Sequence, residues 1–336
     1  MTRMPASLSL AIAAVLLSAA NGCGSGATSI GVQPPEPAPP VGAAVQVWLT
    51  TGDQTQLLAH LPDAHLRPDS VTALPVLTVD PATTYQRMAG FGAAFSDASV
   101  YLIQQKMSPS QREALLQDLF GRTTGIGLSF ARMTMGASDF SLRHYSYDDV
   151  APGASDSALT GFSIDVDRAD RLPVIKRALA INPSLLLVAS PWSPPAWMKT
   201  SGSLITGTLK PTVYASFADY FVKFIQAYQA EGVPIAAVTL QNEPAFEPAD
   251  YPGMRLDPAP RAAVIGGYVG PAFTKAGLRT QIWDWDHNWD VPSQPLTVLA
   301  DSTARRYVQG VAWHCYGGSV SAQSAEIGRA SCRERV

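Results

Sequence analysis

Short apolar runs recur through the middle of the chain, each closing on polar or aromatic residues. Six stand out, at 88–95, 128–135, 184–190, 236–241, 280–286 and 310–316. They lack strict alternation, as expected of strands buried on both faces of a parallel sheet. Helical spacing fills the gaps between them. Ser108-Pro109 is a cap followed by a first-turn proline, with Leu115, Leu116, Leu119 and Phe120 to one side. Tyr214, Phe217, Phe221, Phe224, Ile225 and Tyr228 repeat every three or four residues, and Gly232 stops that helix. This aromatic stripe is read as core rather than as a ligand surface. Weaker helical patterns cover 174–181 and 261–275.

Alternating strands and helices predict an α/β fold with a parallel sheet. A (β/α)8 TIM barrel needs eight strand–helix units in about 250 residues, and about six are visible here. An open doubly wound sheet competes, but Gly90-Phe-Gly-Ala-Ala-Phe95 lacks the third glycine of a phosphate-binding loop. Residues 81–325 are therefore assigned to an incomplete barrel. Residues 45–80 differ: Val45, Val47 and Leu49 alternate with polar positions, and 71–79 reads as a second strand. This predicts part of a small antiparallel β-domain beside the barrel.

The ends read differently. Residues 1–22 have Arg3, an apolar stretch over 8–20 and small residues up to Gly22-Cys23, the pattern of an export signal. Ala20-Asn21-Gly22-Cys23 resembles a lipobox, which makes Cys23 a candidate lipidation site. The expectation is an exported protein, either a cell-envelope lipoprotein or secreted, touching a membrane only through that anchor. Residues 23–44, rich in Gly, Ser and Pro, read as an extended linker. Residues 326–336 carry five charges in eleven positions and resemble a translated sequencing adapter, hence a non-native tail.

Composition narrows the function classes. Of 336 residues, 46% are hydrophobic and 15% charged, enough apolar material for a large core. A net charge of -3 argues against nucleic acid as a partner. Three cysteines do not make a disulfide scaffold or a zinc module. His287 and His314 lack an i,i+4 partner and no HExxH occurs, so neither a metal nor a cofactor is expected. Cys315, placed within a strand, is read as buried and inert.

Barrel chemistry sits where strands end. The fourth run closes on Gln241-Asn242-Glu243-Pro244, a carboxylate beside an amide, suited to protonating a leaving oxygen. The third closes on Pro191-Trp192-Ser193-Pro194-Pro195-Ala196-Trp197, a stiff aromatic wall of the kind that packs on sugar C–H faces. Asp139, Asp286, His314 and Tyr316 close the second, fifth and sixth runs and can bind hydroxyls.

In order, Gly90-Phe-Gly-Ala-Ala-Phe-Ser-Asp97, Ser190-Pro-Trp-Ser-Pro-Pro-Ala-Trp-Met-Lys-Thr200, Asn242-Glu243-Pro244 and His314-Cys-Tyr316 resemble glycoside hydrolase family 30, the group that includes glucosylceramidase and β-1,6-glucanases. The resemblance covers about residues 75–325. It implies a retaining β-glycosidase on a TIM barrel with a side β-domain, acting on a β-linked glucoside or glucan. Glu243 then corresponds to the general acid/base and Asn242 to the amide that binds the 2-hydroxyl. Asp139 and Trp192 correspond to glucose contacts, His314 and Tyr316 to the sixth-strand wall, and Asp286 to a further polar contact. Cys315 departs from the aromatic residue seen in glucosylceramidase. The family's nucleophile is a Glu on a seventh strand; Glu326 and Glu334 follow no strand and do not fit it. The expectation is a chain without its nucleophile, inactive by itself. A non-catalytic sugar-binding lipoprotein and a xylanase of the same family remain alternatives.

Overall fold

The computed structural model describes residues 8–10, 42–68, 73–85 and 87–325. Cys23 and residues 326–336, with Glu326 and Glu334, lie outside the described residues. So does the expected export signal, apart from Leu8–Leu10. The chain divides into two compact units, Met1–Tyr85 and Gln86–Val336. Among the described residues no helix is long and apolar enough to cross a membrane.

The first unit is built from short antiparallel pairs. β1 (Leu8–Leu10) pairs with β4 (Leu77–Val79), and β2 (Ala44–Leu49) pairs with β3 (Ala59–His65). Val45 and Val47 are the half-buried positions of β2, as the alternation predicts, but Leu49, the third position of that pattern, is exposed. The partner of β2 was not legible: β3 contains Pro62 and Asp63, residues that ordinarily mark turns. Within the described residues 73–79 of the second expected strand, only Leu77–Val79 is strand, past Pro75.

The second unit carries all six expected strands, the first five each followed by helix among the described residues. β5 (Gly92–Phe95), β6 (Phe130–Thr134), β7 (Leu186–Ser190), β8 (Ala237–Thr239), β9 (Gln281–Asn288) and β10 (Val308–His314) form one parallel sheet in chain order. The helices between them are α1 (Asp97–Tyr101), α2 (Pro109–Phe120), α3 (Arg171–Ile181), α4 (Tyr214–Ala230), α5 (Pro258–Val264), α6 (Gly270–Lys275) and α7 (Ser293–Ala300). Among the described residues β5 and β10 each pair on one side only.

Local sequence explains these elements. Ser108 caps α2 in a reciprocal pair with Gln111, ahead of Pro109. Gly232 takes φ 78 directly after α4, and Val233 N–H bonds back to Tyr228 O at 2.9 Å. The helix expected over 261–275 is broken: a wide turn at Ile265–Val269 separates α5 from α6. Pro271 has no N–H to continue the ladder, and a widened turn accommodates the lost bond.

Period-two alternation divides the sheet's two faces. Ala131, Met133, Leu187, Ala189, Val238 and Ile282 join the main core with Leu116, Ile175, Phe221 and Phe224 of the helices. Phe130, Val188, Ala237, Trp283 and Ala312 form a separate apolar layer on the opposite, interior face. Phe130 stacks on Trp283 at 6.2 Å between ring centroids. Two residues further along the same faces come Arg132, Ser190, Thr239 and His314. A polar layer therefore sits on top of the apolar plug. Cys315 lies one residue past β10 and is exposed, correcting its reading as a buried strand residue.

Candidate active site

The polar layer opens into a cavity of about 420 Å³, within the range of small-molecule sites. Asp139, Trp192, Asn242, Glu243, His314 and Tyr316 all line it, although they come from the ends of four different strands. Each was singled out from sequence. Other polar lining residues were not, among them Ser96, Arg132, Thr134 and Tyr251. Arg132 had a signal, a lone charge inside the apolar run 128–135. Tyr251 had none, since it lies on the loop after β8.

Local backbone sets the carboxylate. Pro244 ends the run, and Glu243 adopts φ 49, in the left-handed region that a non-glycine residue occupies only when its surroundings hold it there. Two main-chain bonds do so: Asn242 N–H donates to Pro191 O at 2.8 Å, and Glu243 N–H to Asp286 O at 3.0 Å. The Glu243 side chain is 19% exposed.

A four-charge network lies beneath the cavity. Arg132 donates from one Nη2 to Asn242 Oδ1 at 2.7 Å and to Asp286 Oδ2 at 2.8 Å. Ser190 and Thr239 hydroxyls each donate to the same Asp286 oxygen at 2.7 Å. His314 sits between the carboxylates, with Nδ1 2.9 Å from Glu243 Oε1 and Nε2 3.0 Å from Asp286 Oδ1. Ionised carboxylates only accept, so an imidazole bonded to one at each nitrogen must carry both protons. Arg132 and His314 thereby balance Asp286 and Glu243.

The electrostatics follow. Burial by itself pulls His314 down, but hydrogen bonds to Asp286 and Glu243 hold its pKa up at about 9. The His314 hydrogen bond holds Glu243 below the usual carboxylate range, against the opposing effect of burial. Burial pushes Asp286 up, yet the charge of Arg132 and the bond to His314 hold it far below its ordinary value.

Asp286 corrects one expectation. Read as a sugar contact, it is 2% exposed, does not line the cavity, and has both oxygens engaged by protein groups. Its orientation comes from an irregularity in β9. Ala312 pairs with Trp285 and Trp313 with His287, leaving Asp286 as the extra residue of a bulge. Trp285 and Asp286 both have positive φ, 75 and 58. The bulge resets the alternation, so Asp284 faces Arg261 on α5 while Asp286 turns inward.

The aromatic wall also divides. Trp192 lines the cavity with the Arg132 guanidinium 4.6 Å from its ring. Trp197 is 7% exposed, its Nε1–H donating to Asp148 Oδ2 at 2.9 Å, and it belongs to the core. Tyr316 stands at the rim, 85% exposed, edge-on to His314 at 6.0 Å. Among the described residues no three His, Cys, Asp or Glu side chains converge as a metal ion would require.

Comparison with known proteins places the second unit. Residues 88–329 match the glycosyl hydrolase family 30 TIM-barrel domain. The chain is 41% identical over 265 residues to the endo-1,6-beta-D-glucanase neg1 of Aspergillus fumigatus, covering 73% of this chain and 53% of that protein. It is 32% identical over 265 residues to the lysosomal acid glucosylceramidase of Mus musculus, covering 75% and 50%. Among solved structures, an endo-β1,6-glucanase superposes with a TM-score of 0.75 at 33% identity, over 87% of this chain and 65% of that one. The chain spans about half the length of the curated relatives it matches.

Proposed function

The chain belongs to glycosyl hydrolase family 30, and on that footing we propose that it carries the acid/base side of a retaining β-glucoside hydrolase whose substrate class is β-1,6-linked glucan. The observation that carries this reading is the convergence on one cavity of Glu243, Asn242, Trp192 and Asp139. Identities of 39–41% to endo-1,6-β-glucanases, against 30–36% to glucosylceramidases, favour the glucan over glucosylceramide.

In this mechanism Glu243 protonates the glycosidic oxygen as the bond to the anomeric carbon breaks, and later takes a proton from the water that releases the sugar. With Asn242 Oδ1 engaged by Arg132, its Nδ2 is left to donate to a ring hydroxyl. Trp192 supplies an apolar face for the sugar, and Asp139 accepts from its hydroxyls.

The second carboxylate of a retaining pair stands about 5–5.5 Å from the first. Asp286 is a poor nucleophile because its oxygens are saturated. We place the nucleophile on a further strand beyond β10, outside these 336 residues, a placement supported by the greater length of the relatives. Its charge also serves the acid. His314, helped by His287, holds Glu243 ionised, and a like charge about 5 Å away raises its pKa into a proton-donating range. When the nucleophile is esterified that charge vanishes, and Glu243 reverts to a base. Export through residues 1–22, with Cys23 as an acyl anchor, completes the proposal and suits an extracellular glucan.

The test is Glu243→Gln in the chain extended to the length of its relatives. Hydrolysis of β-1,6-glucan, whose leaving group needs a proton, falls by about 10²–10⁴. Formation of the glycosyl-enzyme from an aryl glucoside with an acidic phenol falls far less. Undiminished glucan turnover would remove Glu243 from the role.

A further inference from the structure

Asp286 accepts or shares four side-chain hydrogen bonds inside the barrel, yet it does not line the cavity. Its carboxylate collects Arg132 from β6, Ser190 from β7, Thr239 from β8 and His314 from β10. It reaches Glu243 by two separate routes. One is main-chain, from Glu243 N–H to Asp286 O at 3.0 Å. The other is through His314, whose ring is bonded to a carboxylate at each nitrogen. The same bulge creates both routes, because its two left-handed residues, Trp285 and Asp286, aim the Asp286 side chain inward and its carbonyl toward Glu243.

We propose that Asp286 is a positioning residue for Glu243: its buried carboxylate keeps His314 in the imidazolium form, and that cation orients Glu243 and governs when it holds a proton. The proposal rests on the reading of Glu243 as acid/base. Three levels follow from it. Without the Asp286 charge, His314 loses the anion that offsets its burial and becomes a neutral imidazole at physiological pH. Neutral His314 then offers Glu243 one tautomer's N–H or a lone pair, and the carboxyl is no longer held ionised. The pH at which the site can donate a proton is thereby set one residue away from the chemistry. The groups facing His314 are Glu243 after β8, Asp286 and His287 on β9, Arg132 on β6 and Tyr316 after β10. His287 is 6.2 Å away ring to ring, close enough for the two imidazoles to repel when both are charged.

The test reads His314 directly and requires no turnover. The chain has five histidines, so ¹⁵N-labelled imidazole signals of the full chain are assignable with a His314→Gln reference. In the unaltered chain His314 titrates near 9 as a doubly protonated ring. Asp286→Asn keeps the volume and removes the charge, and the His314 midpoint falls clearly from about 9. Arg132→Gln removes a competing cation instead, and the midpoint rises. The opposite signs separate electrostatic positioning from mere support of the fold. A folded Asp286→Asn variant with His314 unmoved overturns the proposal. If that variant does not fold, Arg132→Gln decides, and a midpoint that stays or falls overturns it. Full activity of Glu243→Gln would instead sink the acid/base reading while leaving the His314 shift standing.

Discussion

Lys199 lends itself to a quantitative test because two large effects oppose each other there. The residue is fully buried, and its ammonium donates to Ser193 Oγ at 3.0 Å, Leu204 O at 2.7 Å and Gly253 O at 2.7 Å. These acceptors lie on the loops after β7 and β8, the loops that carry Trp192 and Tyr251. Burial pulls its pKa from 10.5 to about 7. The unfolded chain keeps this proton up to 10.5, whereas the folded chain releases it near 7. Between those values the unfolded state binds more protons, so native stability rises with pH. At about 1.4 kcal/mol per pH unit, the whole window is worth roughly 5 kcal/mol. Lys199→Met keeps the apolar stem and deletes this contribution. It also strips two carbonyls and a hydroxyl of their donor, at about 1–3 kcal/mol each and independent of pH. Near pH 6 the two effects largely offset, and the variant is close to the parent. By about pH 10 the parent has regained most of its burial cost, and the variant lags by about 4 kcal/mol more than at pH 6. Urea unfolding of both chains across this range measures the difference, in which every other lysine and tyrosine cancels. Parallel stability curves would show that Lys199 titrates normally and refute the reasoning.

Arg261→Met leaves Asp284 as an unpaired charge at 0% side-chain exposure, where the two are now 2.6 Å apart. The expected loss is about 3–5 kcal/mol by chemical denaturation, and a loss under about 1 kcal/mol would contradict it. Gly270→Ala drives a Cβ to 2.1 Å from Cγ of the Tyr307 ring, so the urea midpoint falls by the equivalent of about 1–3 kcal/mol. Trimming the ring with Tyr307→Ala in the same chain makes the added methyl nearly neutral, and a clash that persists in the double variant would place the strain elsewhere.

Much of this protein was legible one segment at a time. The six strands and the capped, aromatic-striped helices follow from periodicity and from Gly and Pro signals, which act over a few residues. Asp139, Trp192, Asn242, Glu243, His314 and Tyr316 were legible because strand ends in a barrel converge. What local pattern could not reach was the inside of the network. Arg132 meets Asn242 and Asp286 across 110 and 154 residues of chain, and only folding determines which charges become neighbours. Asp286 was misjudged because a bulge changes which way a side chain points, and a two-residue alternation contains no warning of it. The roles of Trp192 and Trp197, five residues apart and chemically alike, were separated by Asp148, which offers a buried acceptor to one of them. Local sequence thus determined where the polar groups end up along the barrel rim. The tertiary structure decided their protonation and division of labour, because Coulomb energy and desolvation depend on distance through space rather than separation along the chain.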